Sequence, residues 1–232
     1  MGRLPALRTA LAALCLTLLC VGLADARVVE LGATPSRPAA SCPANCFAIG
    51  RLSGFQVTQG SITNPYRVKR SGKIVAFSIT LGSPDAKQVE FFTNLFGGAP
   101  QAQLSVLRRE FKIRMKPHRL VSQSRVFDLA PYMGSTPTFA LARPLTIKAR
   151  DTVALTVPTW APAFAVGLPK EEAWRSSRHS DKCDDVNTPA AQQKLTGLRR
   201  YACVYRTARL LYTATFIPDP RPTTPAAAPE KG

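Results

Sequence analysis

The sequence predicts an all-β protein, an antiparallel β-sandwich with one short helix near residues 84–96. Three observations lead there. Apolar residues recur with a period of two in many short runs, the runs are broken by Gly, Pro and Asp, and only one segment carries helical spacing. Many short strands separated by turn residues indicate packed antiparallel sheets rather than a βαβ array.

The clearest run is Lys73 to Leu81, where Val75, Phe77, Ile79 and Leu81 alternate with Ile74, Ala76, Ser78 and Thr80. The first set is expected to face the core. Arg70-Ser71-Gly72 supplies a turn ahead of it, preceded by a short extended piece from Tyr66 to Lys69. Similar runs are Ala48–Thr58, Gln103–Leu107, Arg119–Leu129, Thr138–Leu141, Thr152–Val157, Arg200–Tyr205 and Arg209–Ile217. For the helix, Ser83 is the expected N-cap, Pro84 takes the first helical position and Gly97 follows the end. Val89, Phe92 and Phe96 then share one face.

From Pro144 to Val157, two alternating segments flank the polar tetrapeptide Lys148-Ala149-Arg150-Asp151, a connection suited to a hairpin. The stretch resembles a strand–turn–strand that recurs in jelly-roll β-sandwiches of secreted proteins, where a Gly-Asp turn is usual. Arg150 stands here in place of that glycine. The resemblance implies a jelly-roll-like sandwich and carries no activity with it.

The N-terminus reads as an export signal. Arg3 and Arg8 flank the start of an uncharged apolar run from Thr9 to Leu23, and Ala24-Asp25-Ala26 places small residues before a cut at Arg27. The run is about 15 residues long, short of the roughly 20 that a membrane-spanning helix needs. A cleavable signal peptide over 1–26 is therefore expected, not a retained anchor. Cys20 would suit lipid attachment, but bulky Leu19 before it does not. Residues 27–41 are expected to form a flexible leader, 42–217 the sandwich domain, and 218–232 a disordered Pro/Ala-rich tail.

Cleavage leaves Cys42, Cys46, Cys183 and Cys203. Four cysteines outside the cytoplasm indicate two disulfides, with three possible connectivities. Cys42–Cys46 with Cys183–Cys203 is preferred, because each pair brackets a short loop-like stretch. A thiol metal site is disfavoured: there is no paired CxxC, and the histidines are His118 and His179 alone. No cofactor motif stands out.

The whole chain carries a formal charge of +17, and loss of two arginines and one aspartate with residues 1–26 leaves +16. Such a balance favours polyanions or anionic surfaces, and export shifts the expected partner from nucleic acid toward envelope polymer or lipid headgroups. The densest basic stretch is Arg108 to Arg119. Within it Lys112, Arg114 and Lys116 alternate with Phe111, Ile113 and Met115, so a strand there would present a cationic face. Arg108, Arg109, Lys112, Arg114, Lys116 and Arg119 are the candidate polyanion contacts; protection of a sheet edge is the competing reading. Without exposed aromatics interleaved among these charges, base stacking and specific nucleic-acid binding are not expected.

A second candidate is the connection from Pro158 to Cys183, which holds both tryptophans. Trp160 and Phe164 suit a plug at the open end of the sandwich. Trp174, beside Glu172 and Arg175, suits an exposed aromatic that stacks on a sugar ring. Trp174, Arg175, Arg178, His179 and Asp181 are thus the candidate ligand-binding set. Asp181, Asp184, Asp185 and Asn187 form an oxygen-rich cluster in which calcium is a weak alternative.

No catalytic constellation stands out. His179-Ser180-Asp181 contains triad residue types without an elbow motif, His118 sits among cations that disfavour its protonation, and the adjacent Glu171 and Glu172 cannot oppose each other. The leading expectation is a secreted, non-enzymatic module that binds a glycan or an anionic cell-envelope polymer. The alternatives are an extracellular hydrolase with its site in the 158–183 loop, or a structural or protein-interaction domain.

Overall fold

The computed structural model describes residues 27–114 and 117–220, in which the period-two runs form antiparallel sheets. The expected signal peptide, the tail from 221 to 232 and Lys116 lie outside the described residues. A four-stranded sheet runs in the order β1 (Val29–Leu31), β15 (Tyr212–Pro218), β4 (Gly72–Ile79), β8 (Thr138–Ile147). A larger sheet runs β12 (Leu198–Arg199), β6 (His118–Gln123), β5 (Gln101–Arg109), β9 (Thr152–Ala161), β2 (Ile49–Gln59), β11 (Ala173–Ser176), β13 (Cys203–Arg206). Short strands β3 (Ile62–Thr63) and β7 (Phe127–Asp128) join β2 and β5, while β10 (Phe164–Val166) pairs with β14 (Ala208–Leu210).

The two main sheets share one apolar core. Ile74, Phe77, Ile147 and Phe216 come from the smaller sheet, and Leu104, Val106, Val153 and Leu155 from the larger. Alternation along β5 and β9 sends Leu107 and Ala154 to the larger sheet's other face, where they meet Phe55, Leu120 and Tyr201 in a second, smaller cluster.

Along β4 the expected inward set holds at Phe77 and Ile79 but fails at Val75, since Ile74 is the fully buried residue. Thr215 pairs with Ala76 and Phe216 with Ile74, which leaves Val75 as an extra residue against β15. A bulge of this kind reverses the in–out parity of everything before it.

Helix α1 spans Ala86–Phe96. Asp85 caps it, replacing the expected Ser83, because its carboxylate accepts the Gln88 amide at 2.9 Å while Gln88 Oε1 accepts the Asp85 amide at 2.9 Å. This reciprocal box satisfies two donors where a serine at 83 would satisfy neither. Gly97 ends the helix in the left-handed region, as expected. Phe92 and Phe96 pack on Trp160, which is fully buried and donates its indole N–H to the Gly98 carbonyl at 3.0 Å.

The tetrapeptide 148–151 does not close a hairpin. Strand β8 pairs with β4, whereas β9 pairs with β5 and β2, so the connection carries the chain from one sheet to the other. Arg150 takes φ 74°, the left-handed conformation for which glycine is the usual residue. The Asp151 carboxylate holds the turn by accepting the Lys148 amide at 3.0 Å and both arms of Arg108 at 2.8 and 2.6 Å.

The leader is structured where it was expected to be loose. Val29–Leu31 pairs with Phe216–Ala214 at the edge of the smaller sheet, and Leu31 is buried. Both preferred disulfides form, Cys42–Cys46 and Cys183–Cys203. These bridges point to an oxidising, extracytoplasmic environment. No described helix is long and apolar enough to cross a membrane.

Candidate functional site: an arginine face on the larger sheet

Strands β12, β6 and β5 place three residues in one row: Arg199 opposite His118, and His118 opposite Arg109. Directly opposed residues share a face. Arg175 stands opposite Phe55 on β11 and β2. The Phe55, His118 and Tyr201 rings then close a triangle with centroids 5.1 to 5.4 Å apart. Arg67, bridged to Thr152 of β9, approaches the same region. A buried aromatic cluster therefore underlies the centre of this face, and arginines surround it.

The charge is uncompensated. Among the described residues, the ion pairs are Arg108–Asp151, Arg119–Glu110, His179–Asp181, Lys182–Asp185 and Arg209–Glu172. None involves Arg67, Arg109, Arg175 or Arg199. His118 registers the consequence: burial first, then Arg109, Arg175 and Arg67, push its pKa down from 6.5 to about 4. Its imidazole is neutral at physiological pH, with Nδ1 buried and unpartnered. Burial followed by Arg109 also lowers the pKa of Arg175, whose guanidinium donates to the Tyr201 carbonyl at 2.9 Å.

Arg199 connects this face to a hollow of about 670 Å³ under residues 191–200, lined also by His179, Lys194 and Arg200. Its floor is Gln192, only 3% exposed. That amide accepts from Tyr201 Oη at 2.8 Å and donates to the carbonyls of His118 and Gly197 at 3.1 and 2.6 Å. The Gln192 backbone amide donates to Ser53 Oγ at 2.9 Å, which meets Thr156 Oγ1 at 2.7 Å. A satisfied buried network of this kind holds the hollow's wall against the sheet.

The sequence-predicted residues divide. In the basic stretch, β5 ends at Arg109 and β6 begins at His118, so Lys112 and Arg114 sit in the connecting loop and build no strand face. The chain turns because Glu110 donates its amide to Pro117 across the hairpin neck at 2.8 Å. Arg108 and Arg119 are held by acids, leaving Arg109 as the member placed on the face.

In the second set, Trp174 is not an exposed aromatic. It lies on β11 between β2 and β13, 3% exposed, stacked on Tyr205 at 4.5 Å and edge-on to Phe164 at 5.6 Å. Arg178 is buried too, donating to the carbonyls of Gly50, Asp185 and Thr188, and so fastens its loop to the sheet. Of the five, Arg175 lies on the arginine face and His179 lines the hollow, bonded at the surface to Asp181.

The calcium alternative loses its geometry. The Asp185 carboxylate is occupied by the amides of Asn187 and Thr188 and by the Thr188 hydroxyl, and its pKa is lowered, by the Thr188 hydroxyl first. Among the described residues, no three His, Cys, Asp or Glu side chains, Asp181, Asp184 and Asp185 included, are grouped closely enough to hold a metal ion. Of the adjacent pair, Glu171 is exposed and Glu172 is buried on Arg209.

Arg67, Lys194, Arg199 and Arg200 escaped sequence reasoning. Only the Arg199-Arg200 pair is a local signal; strand pairing supplies the rest. Comparison with protein-family models, with curated proteins and with solved structures returns no match.

Proposed function

We propose that this is an exported, non-enzymatic β-sandwich of jelly-roll-like topology that binds an anionic cell-envelope polymer through the arginine face. The observation that carries the reading is the gathering of Arg67, Arg109 and Arg175 near His118, with Arg199 paired opposite it, and no acid in ion-pair distance of the four among the described residues. Four like charges gathered at one face repel one another, a cost that a bound polyanion removes. Planar guanidinium groups also match phosphate and carboxylate oxygens in pairs.

Export is supported by Arg3, Arg8, the apolar run to Leu23 and the small residues before Arg27, together with the two disulfides. The sandwich reading is supported by two antiparallel sheets that share one core. Sugar stacking on Trp174 loses its support, because that ring is covered by Tyr205 and Phe164.

The test is a binding titration against polyphosphate and against polygalacturonate at low salt. Replacing Arg109, Arg175 and Arg199 by Ser should weaken binding at least tenfold. Replacing Lys73, Lys87 and Arg143, which are exposed on β4, α1 and β8, removes the same charge and should change it less than threefold. Equal losses in the two triple variants would show that net charge acts without a site.

A further inference from the structure

A second concavity, independent of the arginine face, lies between the segment after β1 and the smaller sheet. Its volume is about 500 Å³, within the size range of small-molecule sites. Residues 32–39 form one wall as a strap, and Ser78, Thr80, Thr136 and Thr213 line the sheet side, where Thr136 donates to Thr80 at 3.1 Å and Ser78 pairs with Thr138 at 2.7 Å.

Two buried polar side chains line it. Arg209 is 6% exposed, and its charge is already matched: Nε and Nη2 engage the Glu172 carboxylate. Its Nη1 donates to Thr34 Oγ1 and to the Ser36 carbonyl, each at 2.9 Å, which pins the strap. Glu30 and Arg37 also line the cleft, but both are exposed and of opposite sign, so a charged ligand finds no free counter-charge at depth.

Gln59 differs. It is 3% exposed and its Oε1 has no partner. The Tyr66 hydroxyl, with a single proton, donates it to the Tyr212 carbonyl and so does not serve Gln59 Oε1. Oε1 is left as a buried acceptor, a state that costs about 1–3 kcal/mol until a donor arrives.

We propose that this cleft binds a small uncharged polyhydroxylated ligand, of mono- or disaccharide size, with one hydroxyl donating to Gln59 Oε1. An O–H group supplies the missing donor without bringing charge beside the neutralised Arg209–Glu172 pair. The surrounding Ser and Thr hydroxyls are both donors and acceptors, which suits several hydroxyls on one ligand.

The test is an NMR titration of the isotope-labelled protein with glucose, maltose and, as a charged counterpart, glucuronate. Glucose or maltose should produce saturable shifts at the Gln59 side-chain amide and along residues 32–39. Glucuronate should bind at least fivefold more weakly. Gln59→Leu should abolish the shifts; Ala39→Trp, placed on an exposed strap position, should block entry without touching the core. The proposal is overturned if neither neutral sugar gives saturable shifts, if Gln59→Leu binds them unchanged, or if glucuronate binds as tightly. The first outcome would mean that water alone serves Gln59.

Discussion

Arg150 is held at φ 74° by its position ahead of Asp151, whose carboxylate closes the turn on the Lys148 amide and on Arg108. A side chain in that region costs roughly 1 kcal/mol relative to glycine, offset partly by glycine's greater freedom in the unfolded chain. Arg150→Gly should therefore leave stability unchanged or raise it by up to about 1 kcal/mol, read as a higher urea midpoint; a clear loss would show that the arginine side chain holds the turn. His118 makes the opposite kind of demand. Its folded pKa of about 4 lies below its ordinary 6.5, so the unfolded chain takes up the proton first as pH falls. The stability contributed by its neutrality is present above pH 6.5 and lost progressively toward pH 4. At about 1.4 kcal/mol per pKa unit, the loss approaches roughly 3 kcal/mol. His118→Phe keeps a ring between Phe55 and Tyr201 and removes the titrating group, so its stability should be flatter across that window. Parallel pH profiles for the two proteins would contradict this.

At the scale of elements, the buried Glu172–Arg209 pair ties three segments together: the chain before β11, strand β14 and the strap at Thr34 and Ser36. Removing one partner of a buried pair leaves the other uncompensated, at a cost of about 3–5 kcal/mol. Glu172→Gln should show that loss in urea denaturation and faster amide exchange within residues 32–39; unaltered exchange there would separate the strap from the pair. Element positions were largely legible, because alternation in β4, β9 and β15 and the Gly97 stop of α1 are local signals. The misreadings have physical causes. Val75 sits at a bulge, which no alternation pattern announces. The 148–151 connection has the composition of a hairpin turn, yet its flanking strands join different sheets, a choice made by tertiary pairing. Strand β11 was hidden because Ala173–Ser176 is only four residues with charges beside it, and with it the burial of Trp174.

Over the whole molecule, a charge of +17 is visible in the composition, but its focus is not. The richest local run, Arg108 to Arg119, contributes Arg109 to the face, while Glu110 and Asp151 occupy two of its arginines. Arg67, Arg175 and Arg199 are far apart in the chain; the pairing of β12 with β6, the pairing of β11 with β2 and the bridge from Arg67 to Thr152 of β9 bring them toward Arg109. A site assembled across strands in this way leaves little periodic trace. The disulfides were legible for the opposite reason, since both bridge short separations of 4 and 20 residues.

The measurement that bears most directly on the central claim is the salt dependence of polyphosphate binding by the wild-type protein and the two triple variants. Each phosphate contact made by a bound cation adds to the slope of log affinity against log salt. The Arg109/Arg175/Arg199 variant should show a slope shallower by two to three contacts, roughly in proportion to the charges removed. The Lys73/Lys87/Arg143 variant should keep the wild-type slope. A slope that drops equally in both, or in neither, would contradict a localised arginine site.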